Sequence, residues 1–436
     1  MPPVPLPLAL ASLAAALSGF LFGFDTGAVA AARPFFAHDF ALSLQAQGWV
    51  VAAVPLGAMA GAALASFRTI GRRQALLAGT LLFFLGSGLS SLAPETFALW
   101  MGRLLLGLGV GTITVAAPVY LAEIAPFARR GLFVSSFQLA ITLGIVFGQA
   151  LGYALAPQWR ALLGSGAVFA AMAFLGVFLS PESPRFLLSQ GKTKEARGAL
   201  SRLAQESAWA DMEKGEDSHA GRQMGLWAIC KELRAPLILA LGLAILQQLS
   251  GINAVLYYAP SILEKAGFAK NAPLAGAIFV GGVNFLATFP SLVLTDRWGR
   301  RPLLLFGFAG TALCLFVLFA IFFWGGASPL WTLAVILGYI LFFAVSLGPG
   351  FWLVASEIFP LFARPRAMAL ATIANWATNT GVSFSFLPLL ATLGASGIFL
   401  LYGVFCAAGL IFIARALPET KGRPLEAIEA LWLKKV

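Results

Sequence analysis

Two ionisable residues, Asp25 and Arg103, lie inside long apolar stretches, where they could carry or hold a proton. Each is eight residues from the polar residue that ends its stretch on the same side, Arg33 or Glu95. At 1.5 Å per helical residue, both lie about 12 Å below one membrane surface. A buried ionisable group normally faces a partner or a water-filled cavity, so we expect the two side chains to meet.

A contact between Asp25 and Arg103 has two interpretations. As a proton carrier, Asp25 is neutral when Arg103 moves away and ionised when Arg103 returns, because a nearby opposite charge favours the ionised carboxylate. As a permanent ion pair, the same two residues would only clamp two helices together. We favour the proton carrier and keep the clamp as the alternative.

The composition places these stretches in a membrane. Of 436 residues, 59% are hydrophobic and 11% are charged, against about 25% charged residues in soluble domains. Helices of about 21 residues cross roughly 30 Å of hydrocarbon. We therefore predict an all-α membrane protein with twelve transmembrane helices, at residues 6–32, 47–66, 74–93, 97–121, 132–155, 160–180, 235–262, 273–294, 302–324, 330–356, 367–391 and 396–416.

The basic residues predict the orientation. The net charge is +11, and of 29 Lys and Arg residues only Arg33, Arg160, Lys265 and Lys270 fall on one side, while Arg103 lies within a span. The other 24 fall on the opposite side, which the positive-inside rule makes cytoplasmic together with both termini. The basic excess thus reflects insertion into a plasma (inner) membrane and contact with anionic lipid, and no nucleic-acid partner is expected.

Recurring motifs predict a duplicated architecture. Residues 71–73 (Gly-Arg-Arg) recur at 299–301, residues 123–126 (Glu-Ile-Ala-Pro) recur at 357–360 (Glu-Ile-Phe-Pro), and residues 181–182 (Pro-Glu) recur at 418–419. Because each half holds six spans, the halves form a parallel repeat of two pseudo-symmetric six-helix bundles. The predicted units are the bundles at 1–180 and 234–416, short cytoplasmic amphipathic helices at 181–233, and a cytoplasmic tail at 417–436.

Polar side chains also recur at helical spacing within several spans, which a lipid-facing surface would not tolerate. A single amide is explained by a hydrogen bond between helices. Amides from four or more spans, joined by tryptophans, instead suit an uncharged ligand rich in hydroxyls, because amides both donate and accept and an indole covers an apolar ring face. These residues are Gln138, Thr142, Gln149, Gln247, Gln248, Ser250, Asn253, Tyr257, Tyr258, Asn284, Trp352, Asn375, Trp376, Asn379 and Ser383, and the helix is expected to weaken at Gly251 and at Gly348-Pro349.

These motifs resemble the sugar porter family of the major facilitator superfamily over nearly the whole chain. The specific matches are PESPR at 181–185, QQLSGINA at 247–254 and PETKG at 418–422. The resemblance implies monosaccharide contacts at Phe22, Gln138, Ile141, Gln247, Gln248, Asn253, Asn284, Gly348, Trp352, Asn375 and Trp376, and an outer gate at Tyr257 and Tyr258. It also favours proton coupling through Asp25, because proton-coupled members carry Asp at that position.

The chain departs from the family pattern at two positions. Arg68 stands where the first half normally has an acidic residue, while Asp296 keeps that residue in the second half. We expect a weakened inner gate and a bias toward inward-facing states. Phe351 replaces a common proline before Trp352, which alters the expected hinge in span ten.

The cytoplasmic ends of the spans carry acids opposite arginines. We interpret them as a salt-bridge latch, with ordinary solvation at the lipid headgroups as the alternative. The latch residues are Glu123, Arg129, Arg130, Glu182, Asp296, Arg300, Glu357, Arg364 and Glu419, together with Arg301 and Arg366.

The resulting hypothesis is a proton-coupled hexose or pentose symporter that works by alternating access as a monomer, with sugar, proton and lipid bilayer as its partners. A facilitative uniporter with a structural Asp25–Arg103 pair is the nearest alternative, and a membrane sugar sensor, which would be expected to carry a long signalling extension, is a remote one. An intramembrane enzyme is disfavoured because the spans contain no histidine and a single buried acid. Three cysteines without metal-ligand spacing predict neither a metal nor a cofactor.

Overall fold

A computed structural model describes residues 4–67, 70–126, 129–205, 209, 225–268, 272–325, 328–360 and 363–421. Over these ranges the chain is helical, and 11 helices are long and apolar enough to cross a membrane. The prediction of an all-α membrane protein is confirmed.

The first half consists of six long helices. The close contact of α1 (Leu6–Asp39) with α5 (Arg130–Leu155) depends on glycine, because a side chain on Gly23 would overlap the carbonyl oxygen of Ile141. This close approach brings the face of α5 that carries Ile141 against α1. The helices are α1 Leu6–Asp39, α2 Leu44–Phe67, α3 Arg72–Ser91, α4 Thr96–Ile124, α5 Arg130–Leu155 and α6 Trp159–Leu179.

Helix α1 continues seven residues beyond its predicted end at residue 32. The prediction stopped at Arg33 because an arginine is costly in hydrocarbon. In the structure the guanidinium of Arg33 is hydrogen-bonded to the side chains of Gln47 and Ser261, so the helix passes through this position.

The described residues between the halves include three short helices. They are α7 Pro184–Ser189, α8 Thr193–Arg202 and α9 Leu226–Glu232. The side chain of Ser183 caps α7 by accepting a hydrogen bond from the backbone N–H of Phe186. Helix α8 is amphipathic, with Ala196 and Ala199 buried on one face.

The second half repeats the six spans with two interruptions. Gly251, at a φ of 86°, separates α10 from α11, and the ring of Tyr402 occupies the space that a side chain there would need. A π-helical turn at Phe343–Leu347 separates α14 from α15 next to Gly348-Pro349. The helices are α10 Arg234–Leu249, α11 Ile252–Lys265, α12 Ala272–Trp298, α13 Arg300–Trp324, α14 Pro329–Phe342, α15 Gly348–Glu357 and α16 Arg364–Ala416.

Helix α16 contains two spans. Its 53 residues would extend about 80 Å at 1.5 Å per residue, more than twice the thickness of the hydrocarbon. The chain breaks at Gly394, where φ is 70° and ψ is 176°. This break falls between the predicted spans at 367–391 and 396–416, so the described helices form twelve spans.

Contacts between the halves run along three helix pairs. Helix α2 packs against α16, α5 packs against α12, and α1 packs against α11. The predicted domain boundaries fall after α6 and before α10, and the treatment of the two halves as separate domains stays a prediction.

Candidate transport site

Asp25 and Arg103 form the buried ion pair that the sequence predicts. Arg103 Nη1 donates to Asp25 Oδ1 at 3.0 Å, and Nη2 donates to Oδ2 at 3.1 Å. The side chains are 4% and 1% exposed. Arg103 Nε also donates to the carbonyl oxygen of Val50 at 3.2 Å, so one guanidinium joins α1, α2 and α4. Such a bidentate arrangement combines charge with fixed geometry.

A small cavity touches this ion pair inside the first half. Its volume of about 10 Å³ is at the lower limit for one water molecule. Ser87 and Ser90 contribute hydroxyls to a lining that is otherwise mostly apolar. The carboxylate of Asp25 therefore lies beside a space in which a single water could sit.

The two tyrosines predicted as an outer gate are buried on α11. Tyr258 is 0% exposed, its hydroxyl donates to the carbonyl oxygen of Ser383 at 2.9 Å, and its ring stacks on Phe386 at 4.7 Å. Tyr257 is 2% exposed, and its hydroxyl lies beside the side chains of Thr26 and Asn379. Tyr257 is close enough to Asp25 for an electrostatic interaction. Both predicted gate residues are therefore packed among neighbouring side chains.

Four of the predicted sugar-contacting amides form one hydrogen-bonded cluster, which we call the amide cluster: Gln247, Gln248, Asn253 and Asn375. Gln248 Nε2 donates to Asn375 Oδ1 at 2.9 Å, and Asn253 Nδ2 donates to Gln248 Oε1 at 2.6 Å. Asn375 Nδ2 donates to Gln247 Oε1 at 2.8 Å. The cluster joins three helices, α10, α11 and α16, and consists of neutral groups that can both donate and accept.

The break in span ten contributes to the same cluster. Gln247 Nε2 donates to the carbonyl oxygen of Leu347 at 2.8 Å and lies 3.4 Å from that of Gly348. The carbonyl of Leu347 belongs to the π-helical turn, an irregularity that frequently occurs at functional sites. Gly348 thus meets the cluster through its backbone.

Aromatic side chains border the amide cluster. Phe22 of the first half meets Trp376 of the second edge to face, with ring centroids 5.4 Å apart. Trp376 is buried and its Nε1 donor has no partner, so an indole N–H is available. Trp352 is partly buried and packs on Phe351, which is fully buried in the position where a proline was expected.

The remaining predicted contact residues lie on α5 and α12. Gln138 is half-buried, Ile141 is 8% exposed and Asn284 is 7% exposed. Farther along α5, Gln149 is buried against Gly281 of α12, and neither atom of its amide has a partner. The polar face of α5 therefore points toward the other half.

The duplicated motifs fold into two matching ion pairs, one in each half. Arg72 Nη2 contacts Glu123 Oε1 at 3.1 Å in the first half. Arg300 Nη2 contacts Glu357 Oε1 at 2.7 Å in the second half, and the hydroxyl of Thr420 donates to Glu357 Oε2 at 2.7 Å. Each pair lies within one half, so neither joins the two bundles.

The structure gives individual partners for Glu123, Glu182 and Glu419. Glu123 pairs with Arg72, which was not among the predicted latch residues. Glu182 accepts from the backbone N–H of Arg73 at 2.8 Å, and so caps the start of α3. The carboxylate of a Glu at a helix N-terminus is stabilised there by unpaired backbone N–H groups and the helix dipole.

Glu419 caps a helix in the second half in the same way. Its carboxylate accepts from the backbone N–H groups of Arg300 and Arg301 at 3.0 Å each, at the start of α13, and from that of Lys421 at 2.8 Å. Partial burial acts to raise the pKa of Glu419, and the backbone donors outweigh it and hold the pKa below its ordinary value. Among the described residues, Glu182 and Glu419 thus bond to backbone N–H groups at helix starts and not to arginine side chains.

The structure describes only some of the other residues at these helix ends. Arg68 and the side chain of Asp296 lie outside the described residues. Arg364 donates from Nε and Nη2 to the carbonyl oxygen of Phe359, at 3.3 and 3.1 Å. Arg129 immediately precedes α5, and Arg130 begins it.

The two ion pairs should contribute unequally to stability. The Arg300–Glu357 pair is 15% and 17% exposed and has the extra bond from Thr420, whereas Arg72 is 32% exposed. Since hydrogen bonds to charged groups contribute about 1.5 to 3 kcal/mol when shielded, we expect Glu357→Ala to cost about 3 kcal/mol and Glu123→Ala about 1.5 kcal/mol. Thermal unfolding of the solubilised variants measures the difference, and an equal or reversed order would contradict it.

The sequence did not reveal two contacts of this region, the bond of Arg103 to Val50 and the contacts of Arg33. Val50 takes part through its backbone carbonyl, which no side-chain pattern reports. Arg33 was counted only as an outer basic residue, although its burial to 7% exposure distinguishes it from Arg160, whose side chain is 46% exposed.

The helices and the site define the class of protein. Twelve spans in two halves, with a buried ion pair and a buried polar cluster, are the architecture of a membrane transporter of the major facilitator fold. The model of the family described as "Sugar (and other) transporter" matches residues 11–432. The chain belongs to that family.

Its relatives are sugar carriers from bacteria. A D-xylose transporter of Levilactobacillus brevis is 38% identical over 427 residues, covering 95% of this chain and 93% of the relative. A galactose-proton symporter of Escherichia coli K12 is 38% identical over 433 residues, covering 96% and 93%. The E. coli xylose transporter XylE in a partially occluded inward-open conformation matches with a TM-score of 0.83 and 29% identity, covering 96% of this chain and 99% of that one.

Proposed function

We propose that this protein is a proton-coupled monosaccharide symporter that works by alternating access. The observation that carries the proposal is the bidentate Asp25–Arg103 pair, buried below the gate residue Tyr257. Relatives with 38% identity include a galactose-proton symporter, and 37% identical relatives include an arabinose-proton symporter, both of E. coli. These names support a pentose or hexose as the substrate.

The ion pair links protonation to the contacts between the halves. When Asp25 is ionised, Arg103 joins it to the Val50 carbonyl of α2. When Asp25 takes up a proton, the charge attraction is lost, while the bond from Arg103 Nε to α2 can persist. Helix α1 packs on α11, and α2 packs on α16. A change in the bond between Asp25 and Arg103 therefore acts on the helices that must move against the second half.

The amide cluster and Trp376 are the proposed sugar site. Amides that now bond to one another can exchange these bonds for sugar hydroxyls, which both donate and accept. The free indole N–H of Trp376 supplies a further donor, and the indole ring covers the apolar face of the sugar. Phe22, Gln138 and Asn284 complete the proposed site, with Ile141, Gly348 and Trp352 as its other predicted members.

Two further assignments belong to the same proposal. Both termini are placed on the cytoplasmic side, because the large basic excess lies at that side of the spans. The monomer is the proposed working unit, since all the proposed sugar and proton groups lie within one chain.

Proton coupling predicts a direct signal. Adding D-xylose or D-galactose to de-energised vesicles that contain the protein should alkalinise the medium, because each sugar that enters takes a proton with it. A pH electrode records the change, and vesicles without the protein are the control. Sugar entry without alkalinisation would indicate a uniporter, and the absence of entry for a full panel of pentoses and hexoses would remove the monosaccharide assignment.

A further inference from the structure

Arg33 at the outer end of α1 makes contacts that the transport site does not use. Its side chain is buried, with the residue only 7% exposed. Nη1 donates to Oε1 of Gln47 on α2 at 2.6 Å, and Nη2 donates to the hydroxyl of Ser261 on α11. Gln47 is itself held by a bond from its Nε2 to the carbonyl oxygen of Leu42 at 3.1 Å. One guanidinium fork thus joins the first half to the second.

The same guanidinium also lies against the gate. Its central carbon is 5.4 Å from the centre of the Tyr258 ring, within the range of a cation–π contact. Tyr258 lies at a kink in α11, with a φ of −117° and a ψ of 15°, and Ser261 follows three residues later, so Arg33 contacts the gate segment at the kink and just beyond it. Glu264, one turn farther along α11, adds an attractive charge.

Neighbouring contacts show that this is a place where the halves close on each other. Gly48 at the start of α2 lies against the backbone of Phe384 on α16, and the ring of Trp49 is 4.3 Å from that of Phe384. Outward opening must separate these surfaces. The hydrogen bond from Arg33 to Ser261 joins the two halves at this place and is made by a fully charged side chain.

We propose that Arg33 is an outer latch, which holds the gate segment of α11 against α1 and α2 and so stabilises the outward-closed state. The inference rests on the alternating-access part of the proposed function. It does not depend on proton coupling or on the identity of the sugar.

Opening exchanges the latch contacts for water. A charged guanidinium gains hydration in the open state, but it loses two charge-assisted hydrogen bonds and a desolvated cation–π contact. The fork geometry favours the closed state, because its two nitrogens satisfy an amide oxygen and a hydroxyl on opposite halves at once. If the cost of burying the charge were the larger effect, removing Arg33 would instead favour closure.

Thiol labelling from the outer side separates these outcomes. The reporter is Thr26→Cys, because Thr26 is 2% exposed and neighbours Tyr257 beneath the gate. The native cysteines, Cys230, Cys314 and Cys406, are first replaced by serine or alanine. A membrane-impermeant maleimide then reports how often the outer path opens in oriented membranes.

Arg33→Gln should raise the labelling rate about tenfold, which corresponds to a shift of about 1.4 kcal/mol toward the open state. Ser261→Ala should raise it by a smaller factor, and it keeps the arginine in place should Arg33→Gln fail to fold. Arg160→Gln is the matched control, because the side chain of Arg160 contacts Asp39, Trp159, Phe40 and Ala93, all in its own half, and the labelling rate of this variant should equal that of the parent.

Unchanged or slower labelling in both Arg33→Gln and Ser261→Ala would overturn the latch. The proposed function is tested separately, in the parent protein with the reporter cysteine. There, saturating D-xylose or D-galactose should change the labelling rate, and the absence of any such change for a full sugar panel would count against transport while the variant rates still decide the latch.

Discussion

Asp25→Asn should abolish uphill accumulation of sugar while exchange of sugar across the membrane continues. Asparagine keeps the size of the side chain and can still accept a bond from Arg103, but it cannot alternate between a charged and a neutral form. A proton driven by 100 mV supplies about 2.3 kcal/mol, enough to concentrate sugar roughly 50-fold. We therefore expect the accumulation ratio to fall from about 50 to about 1.

Uptake of labelled sugar into energised vesicles, with counterflow in de-energised ones, measures both activities. Asp39→Asn is the matched control, since Asp39 is an acid on the same helix that is 45% exposed at its outer end and accepts a bond from Trp159 Nε1 at 2.7 Å. Full accumulation by Asp25→Asn would refute the carrier role and leave the pair as a structural clamp.

Gln248→Ala should weaken sugar binding about 10- to 100-fold. Gln248 is the central member of the amide cluster, with close bonds to Asn253 and Asn375. Its loss removes one donor and one acceptor from a buried site, and two hydrogen bonds at about 0.7 to 1.5 kcal/mol each give that range. Because binding is affected more than the proton step, the half-saturating concentration should rise more than the maximal rate falls.

The measurement is the concentration dependence of sugar counterflow. Gln205→Ala is the matched control, because Gln205 is also a buried glutamine, but it donates to the carbonyl oxygen of Ile124 at the cytoplasmic side. Equal affinities for Gln248→Ala and the unaltered protein would exclude the amide cluster as the sugar site.

Much of the fold could be predicted from the sequence because spans are local features. The bilayer requires about 20 apolar residues per helix, so hydropathy alone located the twelve spans to within several residues. The breaks at Gly251 and near Gly348-Pro349 were also predictable, since glycine and proline weaken helices at their own positions. The Arg33 end of α1 was misjudged because its partners lie 14 and 228 residues away.

The meeting of Asp25 and Arg103 was predictable for a different reason. Two unpaired charges at equal depth in a nonpolar medium have few other ways to lower their energy. The sequence could not predict that Arg103 also binds the backbone of Val50, or that Glu182 and Glu419 cap the starts of α3 and α13.

The residue pattern was thus sufficient to predict membrane insertion, the duplicated halves, the polar character of the centre and the family. The length of apolar stretches and the spacing of motifs are properties of the sequence itself. Which amides bond to one another, which ion pairs stay within a half, and that Arg33 reaches across to α11 depend on how the helices pack. Several of these contacts join positions 51 to 228 residues apart, and helix rotations of a few tens of degrees would change every partner.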